Sequence, residues 1–84
     1  MHLDIYITNQ CANCREALLI AEQARRIIGL KVAVIDLEQA GQNVPSRVVA
    51  VPTYLLNGQV VSLGNPEREA FFAQLQRQIK EEAR

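Results

Sequence analysis

Along Leu3–Thr8, apolar Leu3, Ile5 and Ile7 alternate with Asp4, Tyr6 and Thr8, which predicts a strand with one buried face. Asn9-Gln10 breaks the alternation, and from Cys11 to Ile28 the period lengthens. Cys14, Ala17, Leu18, Ala21, Ala24 and Ile28 recur at three- and four-residue spacing, as on one face of a helix. Ala, Leu, Glu, Gln and Arg dominate this segment, all good helix formers, and Gly29 offers a stop. Val32–Leu37 is an apolar run enclosing Asp36 and reads as a buried strand of the parallel type. The polar stretch Glu38–Arg47 contains Gly41, Asn43 and Pro45, which leaves room for one or two helical turns but not a long helix. Thr53–Leu56 and Gln59–Leu63 read as short strands. Asn57-Gly58 between them suits a tight hairpin, whose two turn residues both take positive φ. Asn65 is predicted to cap a last helix with Pro66 in its first position. Phe71, Phe72, Leu75 and Ile79 form that helix's apolar stripe, and Glu81–Arg84 is expected to fray.

The predicted order is β-α-β, a connection, then a β-hairpin and a helix. A right-handed β-α-β unit makes the first two strands parallel neighbours. The hairpin adds an antiparallel edge, and helices from both ends of the chain cover the face carrying Leu3, Ile5 and Ile7. With little or no helix before Pro52, the opposite face (Asp4, Tyr6, Thr8) is predicted to stay partly wet, as an exposed, partner-covered or dimer-forming patch. The 84 residues make one domain, residues 1–84, whose small core needs most of its apolar positions. Nine Lys and Arg balance nine Asp and Glu, in no tract, which argues against nucleic acid or an acidic membrane surface as a partner. The adjacent Arg25 and Arg26 read as a solvated helix face. No segment approaches the ~20 apolar residues of a membrane span. Met1-His2-Leu3-Asp4-Ile5 has none of the features of a signal peptide, so a cytoplasmic location is expected.

In a reducing compartment, two cysteines separated by two residues point to redox or metal chemistry rather than a structural staple. At a helix start, Cys11 sits beside unpaired backbone N–H groups that favour a negative charge. Such placement lowers a cysteine pKa from about 8.5 toward or below 7, and the thiolate is the nucleophile. Cys14, one turn on and within the apolar stripe, is predicted to be the more buried. Cys11 is then the attacking sulfur and Cys14 the resolving one. A zinc site normally takes four ligands; the chain has two cysteines and one histidine, His2, at the far end of the first strand. No metal and no cofactor beyond the dithiol is expected, with a metal or iron–sulfur site between two chains as the competing arrangement.

Ala50-Val51-Pro52-Thr53, followed by a strand and Asn57-Gly58, resembles the cis-proline segment of the thioredoxin superfamily. Together with C-x-x-C after the first strand, the resemblance covers nearly the whole chain. It implies an α/β thioredoxin-like fold in its minimal, glutaredoxin-sized form, with a four-stranded mixed sheet of order 2-1-3-4 and a second helix that is short or absent. It also implies a cis peptide bond at Pro52, lying against the cysteine pair. Val51 would then present backbone N–H and C=O groups to an extended substrate segment, with Ala12 and Asn13 completing the contact surface.

The chain departs from the pattern it resembles at several positions. Gln10 stands where thioredoxins usually carry tryptophan, and Ala12-Asn13 replaces the Gly-Pro of thioredoxins or the Pro-Tyr of glutaredoxins. The superfamily's potentials span roughly 150 mV, to which these loop residues contribute. Asp4 is the one acid on the first strand, but it lies on the polar face and reads as solvated or partly covered rather than as the buried acid of thioredoxins. Arg15 either stabilises the thiolate or is a surface arginine. Gly64-Asn65-Pro66 offers one glycine where glutaredoxins place two, so glutathione is only one candidate reductant beside a reductase protein. The expected function is that of a thiol–disulfide oxidoreductase acting on protein disulfides. The alternative is a redox-sensing or protein-binding module in which the cysteine pair is a switch.

Overall fold

The computed structural model describes residues 1–41 and 43–82. Its elements are β1 (His2–Ile7), α1 (Cys14–Ala24), β2 (Lys31–Asp36), α2 (Leu37–Ala40), β3 (Thr53–Leu56), β4 (Gln59–Leu63) and α3 (Arg68–Glu82). The strands form one sheet in the order β2-β1-β3-β4. β1 and β2 run parallel from His2 opposite Lys31 to Ile7 opposite Asp36, while β1–β3 and β3–β4 are antiparallel. The parallel β1–β2 pair and the β3–β4 hairpin are those the element order predicts, and the strand order is the one the thioredoxin resemblance implies. The second helix is a single turn, with the Asp36 carboxylate accepting from the Glu38 N–H at 2.9 Å. Gln42, in the predicted polar connection, lies outside the described residues.

Asn57 (φ 50°) and Gly58 (φ 85°) form the two-residue turn between β3 and β4. Asn57 also secures the start of β1: its N–H donates to the His2 carbonyl at 2.8 Å and its side chain accepts from the His2 N–H at 2.9 Å. Tyr54 faces Ser62 while Leu55 faces Val60, so Val61 is the extra residue of a β-bulge and packs against the core.

The core lies on the face of Leu3, Ile5 and Ile7, which α1 and α3 cover with Ala17, Ile20, Ala21, Ala24, Phe71 and Leu75. The α1 contribution is shifted from the predicted stripe. Leu18 is 45% exposed and Ile28 93% exposed, while Ile20 is fully buried. The helix begins at Cys14 rather than Cys11 and ends at Ala24, so Ile28 lies beyond it. Within it, three alanines face the sheet and let the helix approach closely, leaving Leu18 on the flank. α3 also starts later than predicted. The Glu67 carboxylate accepts from the N–H groups of Glu69 (3.2 Å) and Ala70 (2.7 Å), so it takes the capping role expected of Asn65, and Pro66 precedes the helix. At the other end, Glu81 and Glu82 are helical rather than frayed; Ala83 and Arg84 lie outside the described residues.

The opposite sheet face is drier than its polar alternation predicts. Tyr6, Thr53 and Leu55 are buried there, Asp4, Thr8 and Ile35 are half-buried, and Lys31 and Ala33 of the β2 edge are exposed. β1 and β3 are the two inner strands, so side chains at their centre are flanked on both sides. The segment before Pro52 also reaches the hairpin turn at the His2 end of the sheet, its Arg47 guanidinium donating to the Gly58 carbonyl. The large exposed apolar side chains on this face lie along the β4 edge, at Val60 and Leu63.

Candidate redox site

β1 ends at Ile7, and the chain turns through Thr8–Asn13 before α1 begins. Cys11 and Cys14 are joined as a disulfide, with Cα atoms 5.2 Å apart. A turn brings them together, closed by the Cys14 N–H donating to the Cys11 carbonyl at 3.1 Å. Cys14, rather than Cys11, is the first helical residue, and Asn13 precedes it without a side-chain cap bond. Cys11 therefore lies one short turn before the helix, still at its positive end. The two sulfurs differ in setting: Cys14 is 3% exposed and part of the core, whereas Cys11 is half-buried.

A shallow groove runs beside the disulfide, lined among others by Ile7, Asn9, Ala12, Arg15 and Leu18. Ala12 and Arg15 are exposed at its rim, and Asn13 is exposed beside them in the loop. Leu18, displaced from the core, is the groove's largest exposed apolar side chain.

The Val51–Pro52 peptide bond is cis, Pro52 is buried and Val51 half-buried. The Thr53 hydroxyl donates to the Ala50 carbonyl, which closes the bend, and the Pro52 carbonyl accepts from the Gly64 N–H at 2.7 Å. Among the described residues, Val51 forms no backbone hydrogen bond. Asp4 lies on the sheet face opposite the core that holds Cys14, and its charge joins burial in raising the pKa of Tyr6.

Two connections near the cysteines had no signal in the sequence. Arg68 of α3 binds Glu16 of α1 through two bonds of 2.6 Å. Asn65 bridges the Tyr54 hydroxyl (2.8 Å) and the Asn13 carbonyl (2.7 Å). Tyr54 is fully buried, edge-on to Phe71 with ring centroids 5.5 Å apart. Burial, with a smaller contribution from the Glu16 charge, raises its pKa well above the ordinary tyrosine value. Each partner pair is separated by eleven or fifty-two positions, which no local pattern links.

The model of the thioredoxin domain matches residues 1–76. The chain belongs to the thioredoxin-domain family. Family membership accounts for the sheet order, the C-x-x-C pair at the start of α1 and the small α/β architecture together. No curated protein matches closely enough to serve as a named relative. Among the described residues, no helix of this thioredoxin-family chain is long and apolar enough to cross a membrane.

Proposed function

We propose that the protein is a thiol–disulfide oxidoreductase that reduces or exchanges protein disulfides. The observation that carries this reading is the bonded Cys11–Cys14 pair, buried on one side and bordering a groove on the other. In the dithiol form, the Cys11 thiolate attacks one sulfur of a substrate disulfide. A mixed disulfide forms and the substrate's other sulfur leaves as a thiolate. Cys14 then loses its proton and attacks the Cys11 sulfur, which restores the Cys11–Cys14 disulfide and releases the second substrate thiol. Two electrons pass to the substrate, and an external thiol donor, glutathione or a reductase protein, returns the pair to the dithiol. The dithiol itself is the only redox group the cycle uses.

The half-buried setting of Cys11 supports its role as the attacking sulfur, and the burial of Cys14 supports resolution. Val51, with free backbone groups beside Pro52, suits pairing with an extended substrate segment; Ala12 and Asn13 would border it. A cytoplasmic setting supplies the thiols that keep such a pair turning over, and the protein would there contribute to thiol balance and electron transfer.

The test is reduction of an insulin-type disulfide by the dithiol form. Cys11→Ser should abolish turnover, and Cys14→Ser should stall at the mixed disulfide. Full activity in both variants would exclude the cycle. The Cys14→Ser trap also separates a general reductase, which captures many proteins, from a redox switch, which captures one or two.

A further inference from the structure

Asn65 sits between a buried tyrosine and the peptide that separates the two cysteines. The Asn13 carbonyl can only accept a hydrogen bond, so the Asn65 atom facing it at 2.7 Å is the amide nitrogen. That leaves the Asn65 oxygen toward Tyr54, whose hydroxyl donates to it at 2.8 Å. Tyr54 is fully buried on β3, two residues after Pro52, and cannot swing away. The same Asn13 carbonyl accepts from the Ala17 N–H at 3.3 Å, in the first turn of α1. One carbonyl thus joins the cysteine turn, the helix start and, through Asn65, the strand that follows the proline.

We propose that Asn65 is a positioning residue for the cysteine pair: its amide clamps the Asn13 carbonyl, and Tyr54 locks that amide in place, so that the dithiol is held ready to close. This rests on the redox reading of Cys11 and Cys14. Bringing two thiols into bonding range costs the freedom of the loop between them, and a loop already held has less to lose. Without the clamp, the reduced loop samples more conformations and closing becomes less favourable. The disulfide then becomes easier to reduce and the potential less negative.

The test is the equilibrium of the full chain with glutathione. Cys11 and Cys14 thiols plus one glutathione disulfide give the Cys11–Cys14 disulfide plus two glutathione thiols. Asn65→Ala should lower this constant about fivefold, equivalent to about 20 mV at 29.6 mV per tenfold change. Asn65→Asp should lower it at least as much, because it keeps an acceptor for Tyr54 but loses the donor to Asn13. Tyr54→Phe should shift it in the same direction by less. Asn65→Asp and Tyr54→Phe change little volume, which keeps the test informative if Asn65→Ala folds poorly. Constants within twofold of wild type in the folded variants would overturn the proposal, as would a wild-type value for Asn65→Asp alone. A wild-type pair that fails to close and reopen with glutathione would overturn the redox reading, and the clamp with it.

Discussion

Arg68 and Glu16 meet in a paired, two-bond geometry at 2.6 Å, joining the first turn of α3 to the first turn of α1 two residues beyond Cys14. Both side chains are more than a third exposed, so solvent screens the attraction and its contribution to stability is modest. Its direction with pH is nevertheless defined. The hydrogen bond from Arg68 is the largest influence on Glu16 and lowers its pKa below the ordinary 4.5. A carboxylate lowered on folding stabilises the native state above its unfolded pKa and loses that contribution as pH falls through the folded value. Urea midpoints measured from pH 7 to pH 3 should therefore fall less steeply for Glu16→Gln than for wild type. Parallel curves would remove the pair from the acid response.

Tyr54 makes the opposite prediction at high pH. Burial raises its pKa above the ordinary 10.0, so the folded state holds the proton more tightly than the unfolded chain does. Its contribution is complete below pH 10 and declines as pH rises from there toward the folded value. Tyr54→Phe should flatten the loss of urea stability between pH 9 and pH 11. Part of the slope should remain, because the Tyr6 pKa is also raised.

Ile20 and Leu18 lie two residues apart on α1 yet should respond oppositely to truncation. Ile20→Ala empties a fully buried position and should cost about 2–4 kcal/mol in urea unfolding. Leu18→Ala, at a 45% exposed site, should stay within about 0.5 kcal/mol. If the groove beside the disulfide receives protein substrates, Leu18→Gln should raise KM for a protein disulfide severalfold. It should leave the rate with a small aromatic disulfide unchanged.

Gly29 carries two constraints at once. Its φ is 90°, and a Cβ added there would lie 3.2 Å from the Ile79 side chain of α3. Gly29→Ala should destabilise by about 1–2 kcal/mol from the backbone alone, with crowding adding to it. Combining it with Ile79→Ala should recover only the crowding part. A double-mutant cycle in urea checks this.

The strands and the cysteine pair were legible because their signals are local. Leu3, Ile5 and Ile7 alternate, Asn57-Gly58 permits the required φ values, and Cys11 and Cys14 are spaced for one turn. The helix face was less legible. Ala17 and Ala21 fit a stripe with either Leu18 or Ile20, and the spacing alone does not choose between them. The alanines decide for Ile20, because a helix packed closely on a sheet turns its smallest side chains inward. Asn65 resembles a cap from its neighbours alone. Its actual partners, Tyr54 and Asn13, come from a strand and from the cysteine loop, which only the folded topology brings together. Tyr6 reads as solvent-facing because Asp4 and Thr8, which share its side of the strand, are polar, whereas in the sheet it is flanked by Thr53 of β3 and Ile35 of β2.

The position of β1 has a consequence for how the protein is made. Among the four strands of this sheet it is made first, yet it lies inside the sheet, between β2 and β3. As the chain emerges, β2 can close one edge of β1 once residues 31–36 are available. The other edge waits for Thr53–Leu56. Until then a strand bearing Leu3, Ile5 and Ile7 presents open backbone to whatever is nearby. The apolar cover from α3 comes later still, with Phe71 and Leu75. A nascent chain halted before the hairpin has emerged is thus a half-sheet with an unprotected inner edge, and that is the stage at which this domain depends most on being shielded during translation.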